Sequence, residues 1–269
     1  VRTSSNPAFR NLPHQGSGYA TFNTGGQPAG YQAGYQEQPG YQQQYDSRPG
    51  ISERPMTVDD VVMKTATSFG ITLVAGFLTA FFQAYYLALP AVLIGLGVGL
   101  FLSFRPRPSA PLTLTYALSQ GVALGAISAL VNLRFPGIVV QALIGTAGVF
   151  AGMLVVYKTG AIRVTPKLTR WVIGALVGVL VLVLANLVAS FIVPGGLGLR
   201  SGGAIAIIFS IIVIGVAAFA LLLDFDQADE MIRSGMDAKW AWYAAFGLTA
   251  TVVMLYLEIL RLLSYFRQD

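Results

Sequence analysis

From about residue 66 onward, apolar runs recur every 20 to 35 residues, separated by short polar connections. At a rise of 1.5 Å per residue, a helical run of about 20 apolar residues crosses the roughly 30 Å hydrocarbon core of a bilayer. The pattern predicts seven such helices, at about 66–84, 87–104, 112–131, 137–157, 171–193, 203–223 and 241–263. The first two are separated only by "QAYYLALP". Further links are short as well, among them "FRPRPSAP" at 104–111, "NLRFPG" at 132–137 and "VPGGLGLRSGG" at 193–203. No independent domain fits between spans, so function is expected in the helix bundle or in the segment that precedes it.

That segment has a different pattern. Residues 1–55 carry Gly-Tyr-Gln elements, as in "GYQAGYQEQPGYQQQYDSRPG", with almost no aliphatic side chains. Ordering such a stretch costs backbone entropy with no core in return, so a disordered cytoplasmic tail is expected, ahead of a seven-helix domain at 56–269. The tyrosines offer weak, multivalent contacts, with no partner specified. The first 50 residues contain no apolar stretch of the kind a cleaved leader needs, so the first span is expected to direct insertion. "MTVDDVVMKT" then reads as a helix start: Thr57 can cap, and Asp59 and Asp60 suit the positive end of the helix dipole.

Composition turns this pattern into a class. Hydrophobic residues make up 55% of the 269 and charged residues 11%, with a mean hydropathy of +0.65. Soluble domains carry about a quarter charged residues, so an all-α polytopic membrane protein is expected. Cysteine is absent, which removes disulfides, thiol nucleophiles and thiolate metal sites. The single histidine, His14, lies in the tail, so a Ser-His catalytic pair inside the bundle is excluded. No Gly-x-Gly-Asp motif occurs and the seventh span has no lysine for a Schiff base, so neither an enzyme nor a cofactor is expected.

The net charge of +5 does not point to nucleic acid. Arg105, Arg107, Lys158, Arg163, Lys167, Arg170, Arg233 and Lys239 fall on one set of connections, and only Arg134 and Arg200 on the other. An eight-to-two bias of this kind marks the cytoplasmic face, which Arg54 and Lys64 also join. The amino terminus is therefore expected inside a cell membrane and, after seven spans, the carboxyl terminus outside.

Within the helices, small residues cluster in "GLGVG" (95–99), "GVALGAISA" (121–129), "GTAGVFAG" (145–152) and "GALVG" (174–178). They are expected to let neighbouring backbones approach, and Asn186 to hydrogen-bond across helices. Two acids sit in apolar surroundings. In "LLLDFDQADEM" (221–231), Asp226, Asp229 and Glu230 share a face and read as a solvated helix end. Asp224 follows three leucines and is the deepest acid of its helix. A charge there needs a partner, a proton or a water-filled cavity, and is a candidate for function as well as for a helix end reaching water. Glu258, in "MLYLEILRLLSYF", has Arg261 three residues on, in reach of a local ion pair.

Together these two stretches carry a resemblance. "LLLDFDQADEMI" resembles the sixth-helix signature of the Bax-inhibitor family, the transmembrane Bax inhibitor motif proteins, and "LYLEILRLL" resembles its seventh-helix signature. The likeness covers about 57–266 and leaves the tail outside. It implies that Asp224 and Glu258 form a proton-sensitive, cation-attracting pair linked to an arginine after the second helix, Arg105 or Arg107. It further implies a calcium leak through a bacterial-type member, with protons, calcium or other cations and the lipid bilayer as partners and no protein partner specified for the tail. Glu replaces the Asp usual in the seventh-helix motif; it is longer by one methylene but similar in acidity. The spacing pulls the other way: in a simple hairpin turning near Gly235, Glu258 would lie about 18 Å along the helix from the residue level with Asp224. Contact between the two requires that the stretch 227–245 not continue two straight helices. A pH-gated cation leak is the expected function, with a coupled secondary transporter, or an interaction protein working through its tail, as rivals.

Overall fold

The computed structural model describes residues 54–267. Seven helices long and apolar enough to cross a membrane run through them. They are α1 (Val58–Phe81), α2 (Ala88–Phe104), α3 (Ala110–Arg134), α4 (Ile138–Thr159), α5 (Pro166–Ser190), α6 (Gly203–Arg233) and α7 (Ala241–Phe266). A short 3₁₀ turn precedes each of α2 and α7, at Tyr85–Leu87 and Ala238–Trp240. The Gly-Tyr-Gln tail lies outside the described residues.

Two helices run furthest past their expected limits, α1 at its start and α6 at its end, for identifiable reasons. α1 begins at Val58 because Thr57 and Asp60 form a reciprocal capping box, the Asp60 N–H donating to Thr57 Oγ1 at 3.3 Å and the Thr57 N–H to Asp60 Oδ2 at 3.0 Å. α6 continues ten residues beyond the apolar run, to Arg233, so the acidic stretch is helical throughout. It stops where Gly235, at φ +69°, takes the left-handed conformation, with Gly235 N–H donating to Ile232 O and Met236 N–H to Met231 O. That double bond is a Schellman stop, and it places the hairpin turn at the glycine.

α7 is the hub, packing on α1, α3, α4 and α6, while α1 lies along α3 and α2 along α3. The largest core cluster joins Ile138 and Ala142 of α4, Leu221 and Phe225 of α6, and Leu248, Leu255 and Ile259 of α7. α5 is peripheral, with substantial contact only to α6 and 11% of its apolar window buried, against 50% for α3 and α7.

The small-residue clusters divide between two roles. Where α1 crosses α3, a Cβ at Gly125 would stand 2.2 Å from Gly76 O, and one at Gly121 2.5 Å from Thr72 O. Backbone meets backbone there, as the composition predicts. Gly174 and Gly178 of α5 face open space instead, as do Gly148 and Gly152 of α4. Asn186 likewise departs from the expectation of an interhelical bond: its Oδ1 accepts from Leu197 N–H at 3.0 Å, pinning the α5–α6 connection to its own helix.

The chain just before α1 is tied into the bundle. Met56 N–H donates to Met236 O at 2.7 Å and Ala238 N–H to Arg54 O at 2.8 Å, an antiparallel bridge onto the α6–α7 turn. Arg54 pairs with Asp60 at 2.6 Å, and Lys64 donates to Ala238 O while lying 5.7 Å from the Trp242 ring centre. The folded unit therefore includes Arg54 and Pro55, on the tail side of the boundary drawn from composition.

Candidate functional site

Asp224 is carried near the end of α6 by the straight continuation of that helix past Leu223. About 21 residues separate it from the start at Gly203, roughly 31 Å of helix, which sets its carboxylate at the far edge of a hydrocarbon core. A cavity of about 50 Å³ lies against it, lined by Asp224, Gln227, Ala228, Tyr243, Phe246 and Gly247 among others. That volume accommodates a few water molecules or one partly hydrated cation. Of the lining residues Gln227 is exposed, while Phe246 is buried against Leu102 and Tyr116.

The carboxylate is under-satisfied. Asp224 Oδ2 is buried and has no hydrogen-bond partner, and no cation pairs with the group among the described residues. A buried, unpaired acceptor costs about 1–3 kcal/mol, more when charged, and is retained where something else satisfies it. The chemistry within reach is small: an acid, an amide, a phenol and the Thr251 hydroxyl around a cation-sized space.

Gly247 and Thr251, one turn apart on α7, both face Asp224: a Cβ at Gly247 would lie 3.8 Å from Asp224 Oδ1, and the Thr251 hydroxyl stands beside the same carboxylate. A side chain at 247 would fill the cavity, so glycine keeps it open. This registers the hairpin. The stretch 247–251 is level with Asp224 and begins close to the position that a simple turn at Gly235 predicts.

Glu258 consequently lies two to three turns farther along α7, seven residues past Thr251 and eleven past Gly247, roughly 10–16 Å from the Asp224 level and toward the opposite end of the bundle. The two acids do not form a pair. The correction has a plain cause: α6 and α7 are regular helices on either side of a tight Schellman turn, and the stretch 227–245 contains no detour that could slide one past the other by two to three turns.

Glu258 has a site of its own. It is 5% exposed, and its Oε1 accepts from Arg261 NH1, one turn on, and from Arg200 NH2 at 3.5 Å. Arg200 belongs to the α5–α6 connection, so this network ties that connection to α7. The Arg261 contact is the i,i+3 pair that the spacing predicts; Arg200, 58 positions away and in sequence only a minority charge, is a second partner that no local pattern indicates. Glu258 Oε2, Arg200 Nε and Tyr265 OH are buried there without partners. Nearby, Arg267 donates to Pro136 O at 2.7 Å and to Gln141 Oε1 at 3.1 Å, closing the same end.

The two arginines after α2 do not reach either acid. α2 ends at Phe104, and Arg105 and Arg107 are both exposed and form no ion pair among the described residues. Arg107 sits over the Phe101 ring at 5.7 Å. Both nonetheless belong to the end of the bundle that holds Asp224, since Thr113, at the start of α3, donates to Trp242 O at 3.0 Å. The remaining acids of α6 face outward in part: Asp229 accepts from Tyr157 OH at 3.1 Å and pairs with Arg233 at 3.0 Å, with Glu230 at 3.9 Å from the same arginine. No cluster of three or more metal-ligating side chains exists among the described residues. A cation at Asp224 would therefore be held by one carboxylate and neutral oxygens, which suits a transient cargo better than a tight resident ion.

Comparison with known families places the chain clearly. The family described as Bax inhibitor 1 like matches residues 6–268, so the match begins well inside the segment that the motif resemblance leaves outside. No curated protein matches the chain.

Proposed function

Because the chain belongs to the Bax inhibitor 1 like family and is a multi-pass membrane protein, we propose that it is a pH-sensitive cation leak, for calcium among other ions, and not an enzyme. The observation that carries this reading is the buried, unpartnered Asp224 Oδ2 against a cation-sized cavity lined in part by the exposed Gln227. A carboxylate in that position attracts a cation when ionised and releases it when protonated, so proton uptake and cation occupancy compete for one group. Tyr243 and Gln227 supply neutral oxygens to either form. The seventh-helix acid plays no part in this gate.

The bundle end that holds Asp224 also holds Arg54, Lys64, Arg105, Arg107, Lys158, Arg163, Lys167, Arg170, Arg233 and Lys239. By the positive-inside rule that end faces the cytoplasm of a cell membrane, so Asp224 samples cytoplasmic pH and Glu258 lies toward the outside. The test is calcium influx into vesicles loaded with a calcium-sensitive dye and reconstituted with the full chain, measured between about pH 5 and 8. Wild type should show a pH-dependent leak, and Asp224→Asn a leak with a flat profile. An Asp224→Asn chain that keeps the wild-type profile would remove Asp224 from the gate.

A further inference from the structure

On the outward face of α5, Trp171, Gly174, Ala175 and Gly178 succeed one another at helical spacing, and Arg170 stands at the polar end of the row. Arg170, Trp171, Gly174 and Ala175 line an open groove of about 420 Å³. Its floor includes bare backbone at Gly174, where nothing lies near the position of a Cβ, its side is Trp171, 71% exposed, and Gly178, one turn farther along α5, is equally open. Among the described residues no helix fills it: α5 packs substantially on α6 alone.

The polar mouth of the groove is charged on one sign only. Lys158 in the last turn of α4, Arg163 in the connection, and Lys167 and Arg170 in the first turns of α5 are all exposed. None of the four makes an ion pair among the described residues. Arg170 and Trp171 stand about one turn inside the start of α5, the depth at which basic and aromatic side chains meet lipid headgroups.

We propose that this groove is a binding site for an anionic phospholipid, with the headgroup phosphate held by Arg170 and Lys167 and an acyl chain lying along the Gly174–Gly178 backbone beside Trp171. The charge selects this occupant over a second copy of the chain. A symmetric parallel pair packed through the two glycines would bring the Arg170 and Lys167 side chains of both copies together with no acid to offset them, and the small-residue face would close against repulsion. An anionic lipid relieves the same four charges. Basic residues at a membrane surface draw anionic lipid with a strength that corresponds to about fivefold in affinity per charge. The bound lipid would also cover a helix that the rest of the bundle leaves almost unsupported.

The test uses the full chain in detergent, titrated with dioleoyl phosphatidylglycerol or dioleoyl phosphatidylcholine, with retained lipid counted by native mass spectrometry and inorganic phosphate run in parallel. Phosphatidylglycerol should be retained at least about tenfold more tightly than phosphatidylcholine. Lys167→Gln with Arg170→Gln should reduce that retention about 25-fold, at fivefold per lost charge. Gly174→Leu should weaken it by occupying the groove, and Arg134→Gln, a charge loss at the other end, should leave it unchanged. All three variants alter exposed positions, and far-ultraviolet circular dichroism reads out their fold. Equal retention of the two lipids overturns the proposal, as does unaltered phosphatidylglycerol retention in the double variant. Competition by inorganic phosphate would make the site one for a free anion. A dimer mass lost in Gly174→Leu with lipid retention intact would assign the groove to a second copy.

Discussion

Asp224 and Glu258 are both acids held among apolar helices, yet the bundle treats them in opposite ways. Glu258 is shared by two guanidiniums, one from its own helix and one from the α5–α6 connection, and almost no solvent reaches it. Asp224 faces a cavity beside an amide, a phenol and the Thr251 hydroxyl, and has no cation within pairing distance among the described residues. A charge compensated by fixed partners holds structure together. A charge left for mobile partners is available to protons and ions. The difference teaches that an embedded acid is functional or structural by virtue of its neighbours, and that the apolar context of the residue in the chain is the same for both.

The same acid-to-amide exchange should therefore have opposite effects at the two positions. Glu258→Gln leaves Arg200 and Arg261 crowded without a counter-charge. It should destabilise the protein by about 2–3 kcal/mol, less than the loss of a dry pair because both arginines keep some exposure. Thermal unfolding in lipid bicelles measures it, and a loss below about 0.5 kcal/mol would mean that the network is ornamental. Arg200→Gln removes the longer of the two contacts and leaves the Glu258–Arg261 pair, so the expected loss is about 1 kcal/mol. Because the protein has no cysteine, a single cysteine placed at Ser201 gives a clean readout of the connection: Arg200→Gln should speed its labelling by a membrane-impermeant maleimide. Asp224→Asn removes a charge that nothing in the bundle compensates, so stability should stay within about 0.5 kcal/mol of wild type or rise. In flux measurements the order reverses. Asp224→Asn should flatten the pH profile and Glu258→Gln, assayed below its unfolding temperature, should preserve it. A flattened profile in Glu258→Gln would bring the two acids back into one mechanism.

Much of the architecture is legible from local pattern alone. Seven apolar runs of bilayer length, a capping box at Thr57 and Asp60, a stop at Gly235 and an i,i+3 contact between Glu258 and Arg261 all depend on residues within a few positions of one another. Even the separation of the two acids follows from counting 1.5 Å per residue on either side of a turn at Gly235. It was the resemblance of the two motifs, read as a pair, that implied contact. Motif order carries no information about the number of turns between motifs, and here two to three turns of α7 lie between the residues facing Asp224 and Glu258.

What the chain by itself determined is thus the set of helices, their limits and the sign of charge at each end, since these arise from backbone hydrogen bonding, apolar length and nearest-neighbour capping. Only the tertiary structure decided which surfaces meet. It set Gly121 and Gly125 against the backbone of α1 and left Gly174 and Gly178 open, although both pairs share one spacing. It also brought Arg200 across 58 positions to Glu258 while leaving Asp224 to face a cavity. Partnership across helices depends on rotation and register, which sum over the whole bundle, and no local stretch of sequence holds that sum.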